Sequence, residues 1–260
     1  MSDQLPDEPH LSLVVPCYNE ERCLDATIPP LVEAFTNAGV VVQMVLVDNG
    51  STDRTSAVID SLIHRGLPIV KGTVPVNRGQ GLGYLTGFQQ ASGHHIGWIC
   101  ADGQVAPEDV VAVYQKLSEA TVPSLAKVRR RYRQDNWKRR IISIVYNGMF
   151  QVIFLGIHSL DINGNPKMMP ARMLRLMELS SEDWFLEAEA MLKADHLKLP
   201  IIEINVMGLA RESGQSHVQF SAIPEFLWNI LRFRLGKPWR LWRRSVSSKH
   251  VLDHPAVSNR

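Results

Sequence analysis

Oxygen-bearing side chains cluster in this 260-residue chain directly after short apolar runs. Pro16-Cys-Tyr-Asn-Glu20 follows Leu11 to Val15, Asp48-Asn-Gly-Ser-Thr-Asp-Arg-Thr55 follows Val41 to Val47, and Ala101-Asp-Gly-Gln104 follows Ile96 to Ile99. Such apolar runs read as buried strands, and in open α/β sheets ligands gather beyond the carboxyl ends of the strands. Asn77-Arg-Gly-Gln-Gly81 adds glycines, whose backbone can approach another group closely, as phosphate loops do. Carboxylates, amides and hydroxyls so placed can hold a polar ligand. Farther on, Lys127 to Arg140 holds eight basic residues and one acidic one, a composition suited to positioning an anion.

The elements that must position these residues alternate between strand and helix, the order of a parallel sheet covered by helices. Leu24, Ile28, Leu31 and Phe35 recur at helical spacing, and Pro29-Pro30 is expected to break or restart that helix. Thr52 or Asp53 can cap the helix after the second strand. Leu67 to Val70 reads as a third strand, Gly79 to Gln90 as a glycine-rich helix and Glu108 to Leu117 as another. The expectation is an α/β fold, with a doubly wound, mostly parallel sheet over roughly the first 120 residues. Asp183 to Ala194 then predicts a helix, with Trp184, Phe185 and Leu186 in the core, and Pro200 to Val206 a strand.

Two later segments have a different character. Ile141 to Leu160 is twenty residues without a charged side chain, long enough to span a bilayer. Ser143, Asn147, Gln151 and His158 fall within about 80° of one another on a helical wheel. That polar stripe predicts a helix lying in an interface or against its own domain. Phe226 to Arg244 carries six Arg or Lys, three Trp, two Phe and no acid, the composition of a segment lying on an anionic membrane surface.

Composition narrows the class. A chain of 29.3 kDa with 45% hydrophobic residues suits one large domain with a tail. Three cysteines without CxxC spacing argue against a disulfide framework or a structural zinc site and favour a reducing compartment. Met1 to His10 is acidic and reads as a disordered lead without a secretory signal.

Val-Val-Pro-Cys-Tyr-Asn-Glu-Glu (14 to 21), Val-Asp-Asn-Gly-Ser-Thr-Asp-Arg-Thr (47 to 55), Asn-Arg-Gly-Gln-Gly (77 to 81) and Ala-Asp-Gly-Gln (101 to 104) resemble, in order and spacing, the successive motifs of family 2 glycosyltransferases. Asp161-Ile-Asn-Gly164 and Arg211-Glu-Ser-Gly-Gln-Ser216 extend the resemblance over about residues 10 to 220. They bring it closest to the branch that includes dolichol-phosphate mannose synthase and other polyprenyl-phosphate sugar transferases. The resemblance implies a GT-A fold, a nucleoside-diphosphate sugar donor (UDP or GDP) and inversion at the anomeric carbon. It assigns Pro16, Tyr18, Glu20 and Asp48 to the nucleoside, with Asn49 where many relatives have a second acid. Asn77, Gly79 and Gly81 go to the donor. Asp102 and Gln104 go to a metal loop for Mg²⁺ or Mn²⁺, with Cys100 in place of that loop's first acid. Asp161 matches an acid of the active-site floor and, with Asp102, is expected to be catalytic; Glu189 matches a helix acid.

The acceptor divides the expectations. A lipid monophosphate is already charged at neutral pH and needs cations rather than a base. Lys127, Arg129, Arg131, Arg133 and Arg211, with Ser216, could supply that, and the resemblance supports Arg129, Arg133 and Arg211. A sugar hydroxyl needs a general base, for which Glu182 or Asp183 would serve. A non-catalytic nucleotide-sugar binder at a membrane is a further alternative. Nucleic acid is not an expected partner, because no interleaved aromatic platform accompanies the basic run. The predicted arrangement is a GT-A domain over 11–220 and a basic, amphipathic, membrane-associating tail over 221–260. The enzyme is expected on the cytoplasmic side of the membrane, using a polyprenyl phosphate.

Overall fold

The computed structural model describes residues 8–133, 161–208, 232–233 and 236–253. Two compact units divide the chain, Met1–Ser216 and His217–Arg260. Among the described residues of the first unit, seven strands form one sheet in the order β3-β2-β1-β4-β6-β5-β7. These are β1 (Leu11–Cys17), β2 (Val42–Asn49), β3 (Ile69–Val74), β4 (His95–Trp98), β5 (Leu125–Arg133), β6 (Lys167–Pro170) and β7 (Ile201–Gly208). β3, β2, β1 and β4 pair in parallel, β6 is antiparallel to both neighbours, and β5 pairs in parallel with β7.

Strand alternation sorts the core into two layers. Leu11, Leu13, Val15 and Cys17 face the layer containing α1 (Leu24–Asn37), α2 (Thr55–His64) and α4 (Pro107–Ser118), with Ile28, Phe35, Ile59, Leu62 and Val110 fully buried against them. The opposite layer holds α3 (Gln80–Phe88), whose Tyr84 and Phe88 meet Trp98 of β4 edge-on at 6.3 and 5.5 Å between ring centres. Two further helices, α5 (Ala171–Met177) and α6 (Leu186–His196), follow β6.

Several boundaries differ from expectation for identifiable reasons. α1 runs through Pro29 and Pro30 without a break. Leu24, Ile28, Leu31 and Phe35 bury on one face. Four such burials, each worth about 1.5–3 kcal/mol, offset a cost of about 3 kcal/mol at each of the two prolines. α2 begins at Thr55 rather than beside Thr52, and Asp53 still accepts the Thr55 N–H at 2.9 Å. α6 begins at Leu186, because Asp183 instead accepts the Phe185 N–H at 2.9 Å in the preceding turn. Trp184 is 49% exposed and outside the core expected for it, whereas Phe185 and Leu186 are buried. Pro9 and His10, expected in the disordered lead, are tied to the sheet through His94 N–H to the Pro9 carbonyl and His10 N–H to the Val41 carbonyl.

β5 carries the sharpest correction. Lys127 is fully buried, its ammonium bonded to the Asp161 carbonyl and 3.3 Å from a Glu203 carboxylate oxygen. A lysine so enclosed is a strand-binding residue of the sheet and cannot reach an acceptor phosphate. Burial, and Lys167 opposite it in the ladder, draw its pKa down to about 8, against the pull of Asp161 and Glu203. Between pH ~8 and the unfolded lysine value of about 10.4, the unfolded chain holds more protons, so stability rises with pH there. Lys127→Met should remove that increment. The wild-type minus variant unfolding free energy, measured by urea titration, should climb between pH 8 and 10.5 and stay flat below pH 8. An equal slope in both proteins would refute the assignment.

In the second unit, α7 (Lys237–Asp253) stacks Trp239 on Trp242 with ring centres 5.2 Å apart, and Arg243 sits 5.8 Å from the Trp239 ring centre. Among the described residues no helix is long and apolar enough to cross a membrane. The expected interfacial helix, Ile141 to Leu160, lies outside the described residues, as do Arg211 and Ser216.

Candidate active site

The strand order reverses between β1 and β4: from β1 the chain moves outward to β2 and β3, then returns on the other side with β4. Such a switch point leaves a crevice at the carboxyl ends of the two strands. The loops after β1, β2 and β4 all meet there.

The β1 and β2 loops are braced against each other. Asn19 holds a left-handed conformation (φ 57°) and accepts the Thr52 N–H at 2.8 Å, while its own N–H donates to Ser51 Oγ. The Glu20 N–H donates to Thr55 Oγ1 at 2.8 Å, and Glu21 accepts the Arg54 N–H at 3.0 Å. Asp48, 7% exposed, accepts the Ser51 N–H, and Tyr18 stands 42% exposed on the rim. Pro16 closes β1 opposite Val47. Four polar links between the two loops, with Asp48 holding the β2 turn at Ser51, give a preformed cradle bearing Tyr18, Glu20 and Asp48.

Asn49 has a use that a carboxylate lacks. Its Nδ2 donates to the Gly79 carbonyl at 2.9 Å, tying β2 to the glycine-rich turn, and Asn77 Oδ1 accepts the Gly79 N–H at 2.8 Å. Gly79 and Gly81 were expected to admit the donor. Instead, a Cβ at Gly79 would lie 2.6 Å from the Glu182 carbonyl oxygen, and one at Gly81 2.6 Å from that of Asp183. The missing side chains make room for the chain's own 181–183 segment, which accepts the Leu82 N–H at Glu182. Glu189, fully buried, anchors that segment from below. It accepts the Ser180 and Ser181 N–H groups and pairs with Lys193 at 2.6 Å. Gly81→Ala should therefore cost about 1–3 kcal/mol by overpacking, read as a lower urea midpoint at unchanged m. An unaltered midpoint would mean that the segment yields freely.

Of the two candidate bases in this segment, Glu182 pairs with Arg78 at 3.5 Å, and Asp183 holds the Phe185 N–H.

At the end of β4, Asp102 Oδ1 takes the Gln104 N–H at 3.3 Å. Cys100 is bonded by Gln80 Nε2 at 3.1 Å and lies 3.8 Å from the Tyr84 hydroxyl. Burial, with Asp102 and Glu187 nearby, pushes its thiol up to about 11, so it is neutral at physiological pH. Asp102 is the one carboxylate of the 100–104 loop, and the described residues contain no cluster of three or more metal-ligating side chains.

A cavity of about 220 Å³ opens beside this loop. Val15, Ile28, Leu31, Ile99 and Val110 form its apolar side; Cys100, Asp102, Gln104, Arg130, Asn163 and Asn165 form its polar side. Asp161, expected as a reacting acid, is occupied. Its carboxylate forms a two-pronged pair with Arg130 (3.0 and 3.1 Å) and also accepts the Arg130 N–H. Burial alone would raise its pKa, but Arg130 and then Lys127 hold it well below the usual carboxylate range. It is charged at every physiological pH and tied to Arg130 on both oxygens.

Arg129 sits half-buried opposite Asn205 of β7, and Arg133 ends β5. Arg130, absent from the expected acceptor set, is the arginine that reaches the cavity. It shares the face of Ala126 and Val128 by strand alternation, and the β5–β7 register shifts immediately after it. That alternation was readable, but the run of three arginines hides it. Sequence reading also missed a buried polar group behind the cavity. Glu187 accepts Trp98 Nε1 at 3.1 Å and Asn165 Nδ2 at 2.8 Å, and pairs with Lys167. Lys167 before Met168-Met169, a lone charge in an apolar run, was its one signal.

The model of glycosyl transferase family 2 matches residues 12–175, which include the β1, β2 and β4 loops of this crevice. The chain belongs to glycosyl transferase family 2. This family 2 glycosyltransferase is 30% identical over 142 residues to the undecaprenyl-phosphate 4-deoxy-4-formamido-L-arabinose transferase of Edwardsiella ictaluri, a match covering 54% of this chain and 43% of that one. The transferase of the same name from Proteus mirabilis is 25% identical, with 89% and 69% covered, and that of Pectobacterium atrosepticum 27%, with 91% and 71% covered. The match thus spans less than half of the first relative's length and about seven-tenths of the other two. Glucosyl-3-phosphoglycerate synthase from Mycobacterium tuberculosis, solved with Mn²⁺, UDP and phosphoglyceric acid, superposes with a TM-score of 0.67 at 19% identity, over 88% of this chain and 79% of that one. The same enzyme with Mg²⁺ and UDP gives 0.65 at 19% identity, over 85% and 79%. This likeness is one of fold, and the fold is GT-A.

Proposed function

We propose that this glycosyltransferase moves a sugar from a nucleoside diphosphate to a polyprenyl phosphate, inverting the anomeric carbon, at the cytoplasmic face of a membrane. The observation that carries the reading is the switch point between β1 and β4, where the β1–β2 cradle stands at the strand ends, together with the cavity that Asp102, Gln104 and Arg130 line beside the loop after β4. The relatives named as undecaprenyl-phosphate transferases support the acceptor class.

In this reading Pro16, Tyr18, Glu20 and Asp48 receive the nucleoside, and Asn77 with the Gly79–Gly81 turn closes the donor side. Asp102 and Gln104 fit a hard divalent cation as a carboxylate and an amide oxygen, with the donor's phosphate oxygens completing the set, because the neutral Cys100 thiol is a poor ligand. Mg²⁺ or Mn²⁺ bound there would neutralise charge on the departing diphosphate. The acceptor phosphate arrives already ionised, so its oxygen attacks without a protein base. Arg129, Arg133, Arg211 and Ser216 are assigned to holding it. The α7 cations and tryptophans, at about 1 kcal/mol per Lys or Arg near an anionic surface, hold the enzyme to its lipid.

Mass spectrometry tests the reaction directly, with purified enzyme, Mg²⁺ or Mn²⁺, a polyprenyl phosphate and a panel of UDP- and GDP-sugars. A polyprenyl-phosphate monosaccharide is the expected product. Asp183→Asn should leave its yield within a few-fold, since a phosphate nucleophile needs no base. Loss of product in that variant, or product only with a saccharide acceptor, would replace the lipid phosphate by a sugar hydroxyl. Nucleotide binding without any product would favour a non-catalytic binder.

A further inference from the structure

Gln80, the first residue of α3, has no part in the proposed chemistry, yet both hydrogens of its amide are spent inside the site. Nε2 donates to the Tyr84 hydroxyl at 2.9 Å and to Cys100 Sγ at 3.1 Å. Tyr84 is buried against Phe88 and Trp98, so its hydroxyl is a fixed anchor. On the far side of the sulfur, Asn165 Nδ2 stands at 3.7 Å and donates to the buried Glu187 at 2.8 Å. Cys100 is therefore gripped by amides from two elements distant in the chain. Bonds farther along the loop are longer, although sulfur is the larger acceptor: Thr27 Oγ1 reaches the Ala101 carbonyl at 3.4 Å, and the Gln104 N–H reaches Asp102 at 3.3 Å. Gly79, which leads into Gln80, is itself pinned, its carbonyl by Asn49 and its N–H by Asn77. One side chain thus connects the glycine-rich turn to the base of the loop that carries Asp102. A thiol suits this junction, since it accepts both amides without adding a third negative charge beside Asp102 and Glu187.

We infer that Gln80 is a positioning residue for Asp102: through the Cys100 sulfur it clamps the base of the 100–104 loop to the first turn of α3 and holds the carboxylate ready for a divalent cation. A ligand held in place before binding needs less ordering when the cation arrives. The inference rests on the proposed reading of Asp102 for the cation, and on the hydrogen bonds alone for the clamp.

Mn²⁺ binding to the nucleotide complex of the full chain tests it without turnover, by electron paramagnetic resonance at saturating UDP, or GDP if wild type binds that instead. Gln80→Met keeps the length of the side chain and removes both donors. Its Mn²⁺ dissociation constant should rise about 3–10-fold, the worth of one neutral hydrogen bond. Cys100→Ala, which removes the acceptor, should give a rise of the same size. The double variant should bind Mn²⁺ no more weakly than either single one, because both changes break one link. A packing role for Gln80 predicts instead that the two rises multiply. Should Gln80→Met fail to fold, Gln80→Ala takes its place in the cycle. A Gln80 variant within twofold of wild type, or rises that multiply, would overturn the inference. Wild type that takes up no Mn²⁺ would refute the cation reading of Asp102, and deuterium exchange of the Gln104 N–H then judges the clamp. That exchange should quicken about 3–10-fold in Gln80→Met and no further in the double variant; an unchanged rate would sink the clamp itself.

Discussion

Asp102→Asn is expected to lower sugar transfer by about 10²–10³-fold, the usual loss when one electrostatic contact to developing charge is removed. The size follows from how little anionic charge the loop holds. Cys100 is neutral and Gln104 is an amide, so Asp102 carries the whole negative charge of the 100–104 loop. Asn has the same shape and can still accept the Gln104 N–H, a long bond of 3.3 Å. Product formation by mass spectrometry and urea unfolding of the same preparation separate a loss of transfer from a loss of fold. Turnover within a few-fold of wild type would remove Asp102 from the reaction. Cys100→Asp is the informative companion. If a second carboxylate restores an ordinary oxygen-ligand pair, Mn²⁺ should bind more tightly to the nucleotide complex of that variant.

The largest stability effect belongs to a lysine that touches no proposed substrate. Lys167 is fully buried and pairs with Glu187, itself 5% exposed, below the Trp98 ring. Lys167→Met would leave the carboxylate with two neutral donors, Trp98 Nε1 and Asn165 Nδ2, and no counter-charge. Uncompensated charges of this kind cost about 3–5 kcal/mol, a large share of a typical domain's 5–15 kcal/mol. Adding Glu187→Gln should return more than half of the loss, since a neutral carbonyl can still accept from both donors while no charge stays buried. Urea unfolding of the two variants decides it, and a single variant within 1 kcal/mol of wild type would contradict the picture. Asn165 also lies 3.7 Å from Cys100 Sγ and lines the cavity. Activity of the rescued double variant would show whether the buried pair only supports the site or also sets its geometry.

Much of this protein follows from local pattern. The apolar runs at Leu11, Val42 and His95 become adjacent parallel strands, because runs buried on both faces must lie inside a covered sheet. The loops after them then meet at the switch point; Tyr18, Glu20 and Asp102 follow the strand ends as the sequence suggests, while Asp48 is the penultimate residue of β2 itself. Periodicity and strand ends are properties of neighbouring residues, so a linear reading reaches them.

Tertiary structure alone decided how the charges are spent. Lys127 and Arg130 look equivalent in the sequence, yet one is sealed against the Asp161 carbonyl and Glu203 while the other lines the cavity. Asp161 resembles a reacting acid until Arg130 is found across from it, 31 positions away in the chain. Gly79 and Gly81 suggest an open loop until residues 181–183 fold onto them. In each case the deciding partner lies far along the chain. Electrostatic and packing energies depend on distances of a few ångströms, and only the folded chain sets those distances.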